Sequence, residues 1–126
     1  MLVRGVRGAT TVEANTVEAI LEASRELLSA MVGANHIDPD SVASAIFTTT
    51  PDLNAEFPAV AARDMGWGHV ALLCGHEMSV PKGLKMCLRV LLHVNTDVDA
   101  SQVRHVYLRG AAELRPDIGS QTNTTS

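Results

Sequence analysis

The chain has 126 residues, of which 46% are apolar, and its 10 basic side chains stand against 14 acidic ones. This length is that of one domain, and the net charge of −4 gives no electrostatic footprint for nucleic acid. No apolar run approaches the roughly 18 residues of a membrane span, so no membrane association is expected. Because the N-terminus does not resemble a signal peptide and only two cysteines are present, we expect a cytoplasmic protein.

The first elements of the chain are a strand and a long helix. Alternating apolar residues predict a strand over 1–7, followed by a turn at 8–11. The helix is expected to begin with Asn15 as its cap and Glu18 as the capping partner, and to end at Gly33. Its apolar stripe at helical spacing makes it the clearest element in the sequence.

The later elements are shorter. A turn or a single helical turn is predicted at 38–40, because a proline is tolerated in the first turn of a helix. A second helix is predicted over 58–65, with Gly66 as its stop. The remaining apolar and β-branched runs predict strands over 42–50, over 69–74 as a buried strand, over 84–94 and over 103–108.

The order of these elements is strand, helix, strand, helix and then three strands. Such an order favours an α+β domain, in which a mixed β-sheet has helices packed on one face. The domain is assigned to residues 1–118, and the polar tail over 119–126 is expected to be flexible.

Familiar cofactor motifs are missing from the sequence. It contains no phosphate-binding glycine loop, no dinucleotide fingerprint and no Gly-x-Ser-x-Gly elbow. Soft metal ligands are available, but their spacing matches no zinc pattern, and buried thiols that simply pack are the preferred interpretation. We therefore predict no cofactor and no metal. The side chains that could have served as such metal ligands are Cys74, His76, Cys87 and His93.

Arginines inside apolar strands are the unusual feature of the chain. Alternation along 85–92 places Arg89 on the face opposite Leu88 and Val90. A guanidinium in such a strand needs a protein carboxylate, an exposed strand edge or an anionic ligand, and the residue alone leaves these three open. Arg7, at the end of the first strand, poses the same question.

Glu77 and Tyr107 also allow two interpretations. Glu77 follows a hydrophobic strand and, taken alone, is typical of a solvated loop carboxylate. Tyr107 lies within a strand, where a core tyrosine with its hydroxyl bonded is the default. Strand ends and the loops after them are nevertheless where small sites are assembled on a rigid scaffold. Together with the two arginines, these residues predict a candidate site for a small anion.

Several blocks of the sequence, in the right order and spacing, resemble a known family. The chain closely resembles the small monofunctional chorismate mutases of the trimeric α/β type over about residues 2–118. The blocks that carry this resemblance are 3–13, 50–53, 57–59, 89–90, 95–97, 104–108 and 114–117.

The resemblance implies a homotrimer that forms a pseudo-α/β barrel, with three equivalent active sites at the subunit interfaces. It implies the conversion of chorismate to prephenate on the shikimate route to phenylalanine and tyrosine. A Claisen rearrangement is unimolecular, so it needs no nucleophile, metal or cofactor. The missing motifs are therefore consistent with this activity.

The resemblance also implies roles for individual residues. Arg89 would face the ether oxygen of chorismate as the main catalytic group. Glu77, the second catalytic residue, would accept a hydrogen bond from the substrate hydroxyl, with Cys74 beside it. Arg7 and Tyr107 would each bind a substrate carboxylate.

The adjacent subunit would complete each site, again by resemblance. Its Phe57 and Ala59 would form part of the pocket wall, and its Arg63 would lie at the rim. Leu114 and Arg115 begin a C-terminal segment that would close over the mouth of the pocket.

A non-catalytic interpretation stands beside the enzymatic one. In it, the chain is a trimeric module that binds a small carboxylate metabolite between subunits and reports it to a partner, because a fold alone does not settle a function. The two interpretations differ in their need for Arg89 opposite Glu77 across a small closed pocket. Turnover of chorismate by the purified protein discriminates between them.

Overall fold

The computed structural model describes residues 2–113, and these fold into a sheet of five strands with two α-helices. The helices are α1 (Val17–Asn35) and α2 (Ala59–Asp64). The strands are β1 (Leu2–Thr11), β2 (Val42–Thr49), β3 (Ala71–His76), β4 (Cys87–Thr96) and β5 (Val106–Tyr107). Short 3-10 turns occupy Pro39–Ser41, Ala100–Gln102 and Arg109–Glu113. No helix in this part of the chain is both long and apolar enough to cross a membrane.

The sheet is mixed, as predicted, with its strands in the order β3-β2-β4-β1-β5. Strand β4 runs antiparallel to both of its neighbours, β1 and β2. The two outer strands are parallel to the strands beside them, β3 to β2 and β5 to β1. The central strands β2, β4 and β1 are therefore held by hydrogen bonds on both sides, whereas β3 and β5 are edges.

One face of the sheet carries the helices and the hydrophobic core. Alternate residues of β4 point into this core, as the sequence predicts, and residues of α1 and α2 belong to the same cluster. The α+β prediction with helices on one face is confirmed. Core members include Val6, Ile20, Leu27, Leu28, Met31, Phe47, Ala62, Trp67, Leu88, Val90 and Leu92.

The other face of the sheet carries no α-helix of residues 2–113, and only Ala111 of the 3-10 turn Arg109–Glu113 packs there, against Ala9 and Tyr107. It presents Ile46 and Leu91 from the central strands and Leu73 from the edge, and Leu73 is 64% exposed. In the same alternation, this face also carries Arg7 and Arg89. We call it the open face.

The ends of α1 differ from the prediction at both termini. Thr16, and not Asn15, is the cap, because its side chain accepts a hydrogen bond from the Ala19 N–H at 3.1 Å. The Asn15 side chain instead bonds to Asn54 in the loop after β2. At the other end the helix runs past Gly33 to Asn35, and His36 closes it in the left-handed conformation at φ 51°.

The structure contradicts two predictions, the turn after the first strand and the burial of β3. Residues 8–11 form no turn, because they pair with residues 87–90 of β4 and extend β1 to Thr11. Strand β3 runs over Ala71–His76, further along than predicted, and it is not buried. As an edge strand it has one neighbour in the sheet, and all six of its residues are half-buried or exposed.

Other boundaries shift by a few residues. Strand β4 starts three residues later than predicted, after Met86 in the left-handed conformation at φ 51°. Strand β5 keeps only Val106–Tyr107 of the predicted run. Gly66 adopts φ 90° just after α2, which confirms it as the stop of that helix. The predicted tail over 119–126 lies outside the described residues.

Candidate active site

A row of residues in register crosses the sheet at right angles to its strands. Gly75 pairs with Thr48, Thr48 with Arg89, Arg89 with Ala9, and Ala9 with Tyr107. Residues in register point to the same face of a sheet, so all five belong to the open face. Gly75 and Ala9 are small, and Ala9 therefore leaves space between the guanidinium of Arg89 and the phenol of Tyr107.

This space is part of a recess of about 290 Å³ on the open face. Arg7 enters it from two positions before Ala9 on β1, which puts a second guanidinium beside the row. Within residues 2–113, the Arg7 guanidinium has no ion pair with a carboxylate. We call this recess the cationic recess. Its lining residues are Arg7, Gly8, Ala9, Ile46, Thr48, Arg89, Val90, Leu91 and Tyr107.

Glu77 supplies the carboxylate partner of Arg89, and both residues border a neighbouring recess beside the cationic one. Its backbone N–H donates to the Thr49 carbonyl at 2.9 Å, which holds the residue against β2 just after β3 ends. Its Oε2 lies 3.1 Å from Nε of Arg89 and accepts a hydrogen bond from the Thr48 hydroxyl at 3.0 Å. Arg89 therefore has a protein carboxylate as partner, yet 46% of its side-chain surface stays exposed.

A second recess, of about 280 Å³, lies at the β3 edge of the sheet. Phe57 lies just before α2 and is 65% exposed, and Ala59 and Arg63 lie one helical turn apart on that helix. Cys74 reaches the recess from β3. We call this the edge recess. It is lined by Phe57, Ala59, Arg63, Leu72, Leu73 and Cys74.

The structure thus sorts the candidate residues into two groups. Arg7, Arg89 and Tyr107 line the cationic recess, with Glu77 paired to Arg89. Phe57, Ala59, Arg63 and Cys74 line the edge recess, so within one chain Cys74 lies with this second group and not among the residues around Glu77. Leu114 and Arg115 lie outside the described residues.

The two groups are far apart within one chain. Cys74 lies on one outer strand and Tyr107 on the other, with three strands between them. At about 4.8 Å per strand, the backbones at these two positions are roughly 19 Å apart. Their side chains also leave opposite faces of the sheet, because Cys74 packs against the helix-side core and Tyr107 packs on the open face.

Both cysteines are free thiols whose environment keeps them protonated. Burial raises the pKa of Cys74, and burial raises that of Cys87 to about 11. A thiol that stays protonated is a poor nucleophile. Among residues 2–113, no three His, Cys, Asp or Glu side chains are grouped so that they could hold a metal ion.

Sequence reasoning missed Thr48, whose hydroxyl contacts Glu77. It lies in a run of three threonines, Thr48 to Thr50, that gives no local signal of which one faces a site. Only the register of β2 against β4, which places Thr48 opposite Arg89, identifies it. Ala9 was missed for the same reason, because its small side chain matters only between Arg89 and Tyr107.

Two guanidiniums, a paired carboxylate and a tyrosine define the class of this site. They can bind a small anion and stabilise negative charge that develops on it, and no cofactor is needed for that chemistry. Comparison with known proteins then gives the family. Residues 3–118 match the family described as chorismate mutase type I. The chain belongs to this family.

Three relatives illustrate the similarity. The chain is 47% identical over 125 residues to the chorismate mutase AroH of Bacillus subtilis strain 168, and this covers 98% of each chain. It is 52% identical over 120 residues to the chorismate mutase AroH of Thermus thermophilus, covering 94% of this chain and 98% of the relative. A solved structure, the chorismate mutase from Clostridium thermocellum Cth-682, superposes with a TM-score of 0.84 at 50% identity, covering 85% of this chain and 96% of that one.

Proposed function

We propose that this chain is a chorismate mutase, which converts chorismate to prephenate in phenylalanine and tyrosine biosynthesis. Membership of the type I family over residues 3–118 supports the activity. The observation that carries the mechanism is the Arg89 guanidinium, which is held by Glu77 and exposed in a recess with a second arginine.

The reaction suits the chemistry of this recess. In the rearrangement one C–O bond of the substrate breaks while one C–C bond forms, and no atom enters or leaves. An enzyme can hold the dianionic substrate in the compact conformer that reacts. It can also place a fixed positive charge where the ether oxygen becomes negative in the transition state.

Each polar group of the cationic recess has a role in this proposal. Arg89 stabilises the ether oxygen, and Glu77 accepts a hydrogen bond from the substrate hydroxyl. Arg7 and Tyr107 bind the substrate carboxylates, for which the planar fork of an arginine is well suited. Glu77 also stabilises the position of Arg89, because their side chains form an ion pair at 3.1 Å.

A neighbouring chain completes the site in the proposed homotrimer. The cationic recess and the edge recess measure about 290 and 280 Å³. In the proposed trimer, the edge recess of one subunit, with Phe57, Ala59, Arg63 and Cys74, closes the cationic recess of the next.

The open face of the sheet supports this assembly. Ile46, Leu73 and Leu91 make it partly apolar, and burial of such a face between subunits is favourable. In the trimer these faces enclose the interior of the pseudo-α/β barrel. We place the enzyme in the cytoplasm, where free Cys74 and Cys87 stay reduced.

An assay with purified protein tests the activity. The protein is mixed with chorismate, the loss of substrate is followed, and the product is identified as prephenate. Turnover well above the spontaneous rate supports the proposal. Saturable binding of chorismate without turnover would favour a non-catalytic, metabolite-binding module instead. Sedimentation equilibrium on the same sample tests for the trimer.

A further inference from the structure

The Glu77 carboxylate is held through one of its two oxygens. Oε2 accepts the hydrogen bond from the Thr48 hydroxyl at 3.0 Å and faces Nε of Arg89 at 3.1 Å. Oε1 accepts no hydrogen bond from a side chain or backbone group within residues 2–113. Only 16% of the Glu77 side-chain surface is exposed, so the rest of the side chain is packed against the protein.

Thr48 is unusually well placed to control this carboxylate. It lies in β2, which is hydrogen-bonded on both sides, with Arg89 in register on β4 and Gly75 on β3. A β-branched side chain in a strand has few χ1 rotamers, so the position of the hydroxyl is fixed by the backbone. The next residue, Thr49, accepts the Glu77 backbone N–H. Consecutive residues of β2 therefore hold both the backbone and the side chain of Glu77.

The ion pair with Arg89 would not fix Glu77 by itself. Arg89 is nearly half exposed, and exposed pairs contribute little because water and side-chain entropy compete with them. Glu77 has three rotatable side-chain bonds, which a single partner leaves partly free. The hydroxyl of Thr48 adds a second contact to the same oxygen from a direction set by the sheet.

We propose that Thr48 is a positioning residue for the rearrangement, in that its hydroxyl binds Glu77 Oε2 and leaves Oε1 to accept the hydrogen bond of the substrate hydroxyl. This inference rests on the proposed chorismate mutase activity. Because Oε2 also contacts Arg89, Thr48 fixes the distance between the group that binds the hydroxyl and the group that faces the ether oxygen. Thr48 itself need not touch the substrate.

The test compares Thr48→Val, which removes the hydroxyl and keeps the branched shape, with Thr48→Ser, which keeps the hydroxyl. We expect Thr48→Val to lower kcat/KM about tenfold, the scale of losing one hydrogen bond to a charged group, and to lower kcat more than it raises KM. Thr48→Ser should stay within about threefold of the unmodified chain. Thr96→Val, at the far end of β4 in the same sheet, is the matched control and should leave the rate unchanged.

A double-mutant cycle separates positioning from a structural role. If Thr48 acts through Glu77, then Thr48→Val has no further effect on kcat in a Glu77→Ala background. A merely structural role would instead lower the rate and the melting temperature equally in both backgrounds. Thr48→Ala provides a second removal of the hydroxyl should the valine variant fold poorly.

The outcomes are distinct. Full activity of Thr48→Val, equal losses in Thr48→Val and Thr48→Ser, or additive losses with Glu77→Ala would each overturn the role of Thr48 while the proposed function stands. Absence of turnover by the unmodified chain, which is measured in the same series, would overturn the proposed function and this inference together.

Discussion

The cationic recess and the edge recess are built from different parts of the same sheet. The first lies mainly on β1, β2 and β4, which are paired on both sides and carry Arg7 and Arg89, and the outer strand β5 adds Tyr107. The second lies on the outer strand β3 and the six-residue helix α2, and its Phe57 is largely exposed.

The two recesses differ in how firmly their residues must be held in place. Charges that must meet a developing negative charge need fixed positions, because their effect depends on preorganisation. A pocket wall that excludes water can tolerate more movement until a partner covers it. The two arginines of the cationic recess therefore lie on strands paired on both sides, and the exposed edge carries the surface that we propose for assembly.

The largest expected effect comes from the charge at the centre of the cationic recess. Arg89→Lys keeps a positive charge but loses the planar fork that contacts Glu77 and the ether oxygen. We expect kcat/KM to fall at least about a hundredfold, corresponding to about 3 kcal/mol, in the chorismate assay. Unchanged circular dichroism is the control for folding. Near-normal turnover would remove Arg89 from its catalytic role.

Mixing two damaged chains tests whether the recesses meet across subunits. Arg89→Lys damages the cationic recess, and the double variant Phe57→Ala with Arg63→Ala damages the edge recess. In randomly mixed trimers, about a quarter of the interfaces pair two intact halves, so activity should recover to about a quarter of the unmodified level. The parents pooled without subunit exchange are the control. Absence of recovery after verified exchange would show that both recesses serve one chain.

We expect only a small effect on kcat from replacing Cys74, the thiol of the edge recess. Burial raises the pKa of Cys74, so the thiol stays protonated through the neutral range and can only donate or accept hydrogen bonds. Cys74→Ser preserves those bonds, and we expect kcat within about threefold of the unmodified chain, with the same pH profile. A loss of several orders of magnitude, or a new pH dependence, would assign the sulfur a chemical role.

The smallest effect is on the free energy of unfolding, and it comes from Asp52, which contacts the start of β4. Asp52 accepts the Met86 N–H at 3.0 Å and the Thr50 hydroxyl, and the Thr50 bond is the main cause of its lowered pKa. A lowered pKa stabilises the fold above the unfolded value of about 3.9, and this contribution is lost as the pH falls through the folded value. Asp52→Asn should therefore cost less than about 1 kcal/mol of unfolding free energy at neutral pH, because the group is exposed.

Urea unfolding at neutral and acid pH measures this effect. The difference between Asp52→Asn and the unmodified chain should shrink in acid, where the carboxyl is protonated in both folded and unfolded states. Asp97→Asn, at another exposed aspartate, is the control for the loss of one surface charge. A difference that is constant with pH would mean that Asp52 contributes through packing and not through its charge.

Much of the fold could be predicted because periodicity reports local structure. The stripe of α1 and the alternation of β4 are both present in the structure. The turn predicted at 8–11 was wrong because Gly8 and the threonines suggest a turn locally, whereas pairing with β4 decides their conformation. The buried β3 was wrong because the apolar composition of a strand does not tell whether it lies at an edge.

The candidate site shows the same limit. The sequence identifies Arg89 as a charge in an apolar strand, and the roles of Glu77 and Tyr107 came from resemblance to a family. Neither source could find Thr48, because its partnership with Glu77 depends on the register of three strands. Register is a property of chain pairing, and a single sequence records it only indirectly.

Hydrogen bonds between the strands set the spacing of the row that contains Thr48, Arg89, Ala9 and Tyr107. Neighbouring strands lie about 4.8 Å apart, so the backbones at Arg89 and Tyr107 are held roughly 10 Å apart whatever their side chains do. This distance can change only when the ladders themselves break. On heating, the recess within each chain should therefore keep its dimensions until the sheet itself unfolds.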